Sequence, residues 1–180
     1  IMGMDMGKLK SILQVSFSKN GAESIIDYYS GKLRRERIEP EPWRIYSQFM
    51  TDTFFLIPTL RIVKKWVSFG LPVFMYLFDW PSPSLQGKMG SCHTLELGFI
   101  FGNYDERFVG SGKDADELSK KMQDAWGSFA RNGDPSCESL GLWADYGKER
   151  KVMVLGKECY LAEDPHRDVI DFYLSLGMEL

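Results

Sequence analysis

The residues best placed to do chemistry lie at positions 90–103, which read G-S-C-H-T-L-E-L-G-F-I-F-G-N. At the centre is His93, one of two histidines in the chain. The ordinary pKa of a histidine side chain is about 6.5, so an imidazole can accept a proton from a reacting group at neutral pH. Glu96 follows three residues later and brings a carboxylate close by. By composition alone, a single histidine is more often structural than catalytic.

Apolar side chains occupy every second position after the histidine, and this period predicts an extended segment with one buried face. The alternating residues are Leu95, Leu97, Phe99 and Phe101. Cys92 stands directly before the imidazole. Since neighbouring residues of an extended segment point to opposite faces, we do not expect a Cys–His dyad.

The sequence of this segment resembles the histidine motif of the type-B carboxylesterases, a family that includes the bacterial p-nitrobenzyl esterases and the cholinesterases. Residues 93–103 match that motif as H-x-L-E-L-x-F-x-F-G-N. Residues 50–58 (M-T-D-x-x-F-x-x-P), 73–80 (V-F-M-Y-L-F-D-W) and 125–135 (A-W-x-x-F-A-x-x-G-D-P) resemble further motifs in the family's order, and Trp143-x-x-Tyr146 resembles its W-P-x-Y.

The resemblance implies an α/β fold in which residues 1–180 form the C-terminal segment of a single α/β-hydrolase domain: the last sheet strands with flanking helices. It also implies hydrolysis of small carboxylic esters through an acyl-enzyme, without cofactor, with His93 as general base and Glu96 in a supporting role behind it. The serine of such enzymes sits on a G-x-S-x-G turn. No such motif occurs here, so we expect the nucleophile in an N-terminal part of the protein that this sequence does not contain.

The acid of the triad is the weakest part of the resemblance. The family carries it in a D-E-G tripeptide, and at a similar spacing this chain has Asp5-Met6-Gly7. Methionine cannot accept a hydrogen bond from an imidazolium, which leaves Asp5 as the candidate acid. Thr94 and Gly98 replace a small residue and a proline, and we expect the glycine to loosen the segment. Met6 also favours an alternative, a non-catalytic binding or adhesion module of the same fold, or an inactive fragment.

The composition limits the classes of binding partner that we expect. The net charge is −3, which gives no reason to expect binding to nucleic acid or to an anionic membrane. No apolar run is long enough to span a bilayer. Three cysteines and two histidines form neither a disulfide framework nor a metal-site pattern, and they favour a cytoplasmic location. The first residue, Ile1, suggests that the natural start lies elsewhere.

The elements expected around the site follow from periodicity and turn signals. The predicted helices cover residues 9–13 (closed by Gly21), 22–33, 43–69 (kinked or broken near Pro58), 114–132 (with a capping box from Asp114 to Glu117) and 168–176. Residues 73–78 should form a buried strand, and residues 152–155 and 159–162 a hairpin. Phe54 and Phe129 should face the core, and His166 the surface. By the resemblance, Trp43, Phe54 and Phe55 lie on helices that border the acyl pocket.

Overall fold

A computed structural model of the chain describes residues 3–179, so Ile1 lies outside the described part. The elements in chain order are helices α1 (Met6–Leu13), α2 (Lys19–Arg35), α3 (Pro42–Thr51), a π-helical segment (Asp52–Leu56), α4 (Ile57–Ser68), strand β1 (Tyr76–Asp79), helices α5 (Leu95–Ile100), α6 (Glu106–Val109), α7 (Lys113–Asn132), strands β2 (Lys151–Gly156) and β3 (Cys159–Glu163), and helix α8 (Arg167–Ser175).

These elements form two compact units. The helical unit contains residues 3–69 and 166–179, and the mixed unit contains residues 70–165. None of the helices in the described part of the chain is both long and apolar enough to cross a membrane.

The helical unit buries the apolar faces of α1, α2 and α3 against one another. Its buried core residues are Leu9, Leu13, Ala22, Ile25, Ile26, Tyr29, Leu33, Ile45 and Phe49. The predicted helix at 22–33 is confirmed as part of α2, but Gly21 does not close the preceding helix. It lies in the first turn of α2, where its N–H donates to the N-capping hydroxyl of Ser18 at 3.1 Å.

The predicted break near Pro58 is confirmed as a π-helical segment directly before α4. A proline ring clashes with the carbonyl four residues earlier in a regular α-helix, and one wider turn relieves that clash. The wide turn also changes which residues face inward. Asp52 becomes buried at 4% exposure, whereas Phe54, predicted to be a core residue, is exposed to solvent.

Asp52 is part of a buried hydrogen-bond network that joins the π segment to α2 and α8. The Tyr29 hydroxyl donates to Asp52 Oδ2 at 2.8 Å and lies 3.1 Å from the Tyr173 hydroxyl. The Tyr173 oxygen lies in turn 2.8 Å from Thr53 Oγ1. Burial raises the pKa of Asp52, opposed by the charge of Lys32 and by the Tyr29 hydrogen bond. The predicted terminal helix is confirmed as α8, and its role is to close this network.

The mixed unit is built on a three-stranded sheet in the order β1-β2-β3. β1 pairs with β2 in parallel, with Tyr76 opposite Met153, and β2 pairs with β3 as the predicted antiparallel hairpin. β2 is buried almost throughout. β1 begins at Tyr76, later than predicted, and alternates between half-buried and exposed residues, so the prediction of a buried strand was wrong.

Helix α7 packs along the sheet through Leu118, Met122 and Ala125, all buried. Its end at Asn132 is confirmed, with Gly133 in the left-handed conformation that favours glycine at φ 73°. Its predicted start was wrong. The N-cap residue is Gly112, and the Glu117 carboxylate, instead of completing a capping box, pairs with Lys113 Nζ at 3.1 Å.

Phe129, near the end of α7, was expected in the core but is exposed. A helix of 20 residues presents more positions than the sheet can cover. His166, expected at the surface, is half-buried and directly precedes α8.

Candidate active site

The candidate site begins at Trp80, the residue that follows β1. Its indole is 4% exposed, and Nε1 donates to the Val109 carbonyl at 2.9 Å. Its own carbonyl accepts the Ser91 hydroxyl at 2.7 Å. An isolated antiparallel bridge pairs Ser82 with Gly90, so it lies within the loop that the Trp80–Ser91 hydrogen bond closes. The long loop after β1 therefore returns to its own starting point, which places residue 91 beside the carboxyl end of the strand.

His93 lies on the turn that follows this closure. The residue is exposed, and α5 begins two positions later. The Cys92 carbonyl accepts the Leu95 N–H at 3.2 Å, which fixes the backbone on either side of the imidazole. A side chain beyond the carboxyl end of a parallel strand stands where open α/β sheets place their ligands. This position agrees with the sequence expectation, although the local conformation does not.

The segment after His93 is helical, so the prediction of an extended segment was wrong. α5 buries Phe99 completely, at 0% exposure, whereas Phe101 is 72% exposed. In a strand, both phenylalanines would share one face; in a helix, Leu95 and Phe99 share it instead. The ring of Phe99 lies 5.1 Å from that of Trp80, and the Ser119 hydroxyl of α7 donates to the Phe99 carbonyl at 2.8 Å.

Thr94 marks the start of this helix with a strained backbone. Its φ of 71° and ψ of −2° lie in the left-handed region. For a β-branched residue this conformation is a genuine outlier, which persists only where the surroundings enforce it. The residue that the resemblance identified as replacing a smaller one is therefore the residue on which strain falls.

Glu96 lies in the first turn of α5 and is half-buried. Burial and, to a smaller extent, the negative charge of Glu96 raise the pKa of Tyr76 on β1. The Tyr76 ring packs edge-on against Trp126 at 5.2 Å. The Glu96 charge thus acts on Tyr76 of the sheet, and Glu96 lies three residues after His93 in the chain.

Gly98 has a packing role that the sequence did not reveal. A Cβ at this position would come within 2.8 Å of both Cα and Cβ of Tyr104. The close approach lets the Tyr104 ring stack on Phe99 at 5.2 Å, while the Asn103 N–H donates to the Gly98 carbonyl at 3.0 Å. The glycine therefore joins the end of α5 to the following residues.

Asp5, the candidate acid, is the N-cap of α1. Its carboxylate accepts the Lys8 N–H at 2.7 Å, and the residue is exposed. Asp5 belongs to the helical unit, and His93 and Glu96 belong to the mixed unit. Among residues 3–179, no group of three or more histidine, cysteine or acidic side chains could hold a metal ion.

Sequence reasoning missed Trp80 and Ser91. Trp80 ends one of the matched motifs, and two prolines follow it within three residues. Such a loop has to turn sharply, and a tryptophan at the turn is a candidate anchor. Nothing in the sequence marks Ser91 as the partner of its carbonyl.

Residues 7–172 match the family model described as the carboxylesterase family. The para-nitrobenzyl esterase of Bacillus subtilis is 32% identical over 158 residues, covering 84% of this chain and 32% of the relative. The phenmedipham hydrolase of Pseudarthrobacter oxydans is 28% identical, over 86% of this chain and 31% of the relative. The chain thus spans about a third of the length of these relatives.

Solved structures of carboxylesterases resemble this chain in fold. The crystal structure of the Geobacillus stearothermophilus carboxylesterase superposes with a TM-score of 0.68 at 30% identity, covering 83% of this chain and 31% of the other. The fold is accordingly that of part of an α/β-hydrolase domain, as the sequence resemblance implied.

Proposed function

Because this chain belongs to the carboxylesterase family, we propose that it supplies the catalytic histidine of a serine esterase whose nucleophile lies in another part of the polypeptide. The observation that carries the proposal is the placement of His93: an exposed imidazole on a turn that is fixed to the carboxyl end of β1. Residues 1–180 would then be the C-terminal segment of one α/β-hydrolase domain.

In this mechanism the His93 imidazole accepts the serine proton as the hydroxyl attacks the ester carbonyl, and then gives that proton to the departing alkoxide. The acyl-enzyme forms as the ester C–O bond breaks. A water molecule, deprotonated by the same imidazole, attacks the acyl-enzyme and releases the acid. Glu96 supports the imidazolium electrostatically. Asp5 remains the candidate acid; its Oδ1 accepts the Lys8 N–H, and its second carboxylate oxygen is the one that would accept a bond from the imidazole.

Surfaces that this chain leaves uncovered support the proposal that a second part of the polypeptide packs on it. β1 lies at the edge of the three-stranded sheet, and Leu77 on it is exposed. On α4, Ile62 and Trp66 are also exposed. Open sheet edges and exposed apolar faces are normally covered in a complete domain. We propose the missing N-terminal part as the partner that covers them, and small carboxylic esters as substrates.

The cytoplasmic location belongs to the same proposal. Cys92, Cys137 and Cys159 are all free thiols, which is the usual state in a reducing compartment.

One observation favours the alternative, an inactive fragment or a non-catalytic binding module. The carboxylate of Asp5 already serves as a helix cap, and Met6 follows it at the position that resembles the family's glutamate. A module of this kind would keep the fold and bind a partner without acylation.

Complementation tests the proposal. The chain is co-expressed with the nucleophile-bearing part of the B. subtilis para-nitrobenzyl esterase, and the mixture is treated with a fluorophosphonate probe and a p-nitrobenzyl ester. We expect one covalent adduct and ester hydrolysis from the mixture, and neither from the chain alone.

His93→Gln should abolish both signals, and the matched variant His166→Gln should retain them. Full labelling in His93→Gln would overturn the assignment of the base. A stable complex that takes up no probe would support the binding module instead.

A further inference from the structure

The backbone on the N-terminal side of His93 is held by a side-chain contact beside the Ser82–Gly90 bridge. The Ser91 hydroxyl donates to the Trp80 carbonyl at 2.7 Å, across eleven positions of the chain. Trp80 is itself fixed, because its indole N–H donates to Val109 and its ring packs against Phe99. A hydroxyl–carbonyl bond of this length to a buried, immobile residue is a firm anchor.

The backbone on the C-terminal side of His93 is strained. Thr94 holds a left-handed conformation, which is unfavourable in a residue with a Cβ because the Cβ approaches the following carbonyl oxygen. Without external support the turn would relax to a commoner conformation and rotate the preceding side chain. The helix that follows is itself anchored, because Phe99 is fully buried against Trp80, so the strained turn has to join this fixed helix to the Ser91 anchor.

We propose that Ser91 is a positioning residue for His93, and that its bond to the Trp80 carbonyl holds the strained turn that directs the imidazole toward the reacting ester. The proposal rests on the proposed function in one respect: it takes His93 as the proton acceptor. Ser91 itself touches neither substrate nor nucleophile and acts only through the histidine.

Misplacement by about 1 Å is enough to reduce turnover strongly, since proton transfer requires hydrogen-bond distance. Loss of the Ser91 hydroxyl should therefore lower kcat more than it alters KM. It should also be visible without any substrate, as a change in the environment of the imidazole.

A matched control exists in the same unit. The Ser128 hydroxyl donates to the backbone carbonyls of Asp134 and Ser136, both at 2.9 Å, at the far end of α7. Ser128→Ala also removes a serine-to-backbone anchor but leaves the residues that flank His93 unchanged. It separates general destabilisation from loss of position.

The first experiment uses the 180-residue chain. The Cε1–Hε1 resonances of its two histidines are followed by NMR, with His166→Gln providing the assignment. We expect the His93 resonance to move toward its unfolded position in Ser91→Ala, to stay in place in Ser128→Ala, and to return in Ser91→Thr, which restores the hydroxyl. An unmoved resonance in Ser91→Ala would overturn the proposal.

The second experiment measures turnover in the complemented enzyme. Ser91→Ala should lower kcat by about 10- to 100-fold with KM nearly unchanged, and Ser128→Ala should leave kcat close to the parent value. A shifted resonance with unchanged kcat would overturn the positioning role.

If the parent complex is inactive, the proposed function fails, and with it the catalytic part of this inference. The resonance data would then decide whether Ser91 anchors the turn. The failures of the two proposals are in this way distinguishable.

Discussion

In the helical unit a buried network bonds side chains to one another, whereas in the mixed unit serine hydroxyls near the candidate site bond to backbone carbonyls. Tyr29, Asp52 and Tyr173 form one connected network of hydroxyls and a carboxylate. In the mixed unit, serine hydroxyls bond to carbonyls, as at Ser91 and Ser119. The first arrangement contains a titratable group and joins helices; the second contains none and fixes the course of the chain beside His93.

The largest effect expected concerns the core beneath the histidine turn. Phe99→Ala should cost about 3–5 kcal/mol of unfolding free energy, since the ring is fully buried against Trp80. Phe101→Ala, at an exposed position, should stay within about 0.5 kcal/mol of the parent. Denaturant titration measures both. For Phe99→Ala, hydrogen exchange should show the loss of protection in β2 rather than in α2. Equal losses of protection in β2 and α2 would remove the distinction between the units.

The next effect falls on the network of the helical unit. Tyr29→Phe removes the hydroxyl that joins Asp52 to Tyr173 and leaves a buried carboxylate without this donor. The expected cost is about 1–3 kcal/mol by denaturant titration. Tyr46→Phe on α3, a half-buried tyrosine outside the network, is the matched control and should cost less. Equal costs would show that the Tyr29 hydroxyl in the network contributes no more than a half-buried hydroxyl outside it.

The dependence of stability on pH distinguishes the buried network of the helical unit from the serine hydroxyls of the mixed unit. Because burial raises the pKa of Asp52, the folded state binds its proton more tightly than the unfolded state does. The contribution of this group to stability is therefore full below the ordinary aspartate pKa of ~3.9 and declines as pH rises from there through the raised value.

Asp52→Asn should abolish that decline, which is measured as the difference in unfolding free energy from the parent between pH 4 and 8. Ser119→Ala in the mixed unit provides the comparison. It removes a hydroxyl that does not titrate, so its cost should be the same at every pH. A flat difference for Asp52→Asn would contradict the raised pKa.

The smallest effect tests the strain at Thr94. Thr94→Gly should raise the unfolding free energy by up to about 1 kcal/mol, because glycine adopts the left-handed conformation without cost from a Cβ. Thr59→Gly, at an exposed position of α4, should lower it by a few tenths of a kcal/mol, since glycine is a poorer helix former than threonine. Thermal unfolding distinguishes the two signs. Destabilisation by both would mean that Thr94 contributes contacts that outweigh its strain.

Sequence reasoning succeeded where one local signal decided the outcome. The hairpin of β2 and β3, the end of α7 at Gly133 and the terminal helix all carry short-range patterns that tertiary contacts leave unchanged. The family and the position of His93 beside a strand end were also predictable, because the matched motifs lie at the ends of elements.

The wrong secondary-structure predictions arose where the same residues fitted two different patterns. Leu95, Leu97, Phe99 and Phe101 alternate, but Leu95 and Phe99 also stand four apart, and packing beneath Trp80 selected the helix. The capping box at Asp114 failed because Asp114 already lies inside the helix, which begins at Lys113. The burial of Asp52 depends on the π-helical segment. In the sequence, only the presence of Pro58 could have suggested such a segment.

The network around Tyr173 has a consequence for how the protein is made. Tyr173 follows Tyr29 by 144 residues, and at roughly 5–20 residues per second the ribosome needs about 7–30 s to add them. The mixed unit is one continuous stretch and can complete its contacts during that interval, while α1 to α4 wait for α8. A nascent chain stalled before His166 would therefore leave the helical unit incomplete, with the Tyr29 hydroxyl lacking its Tyr173 partner.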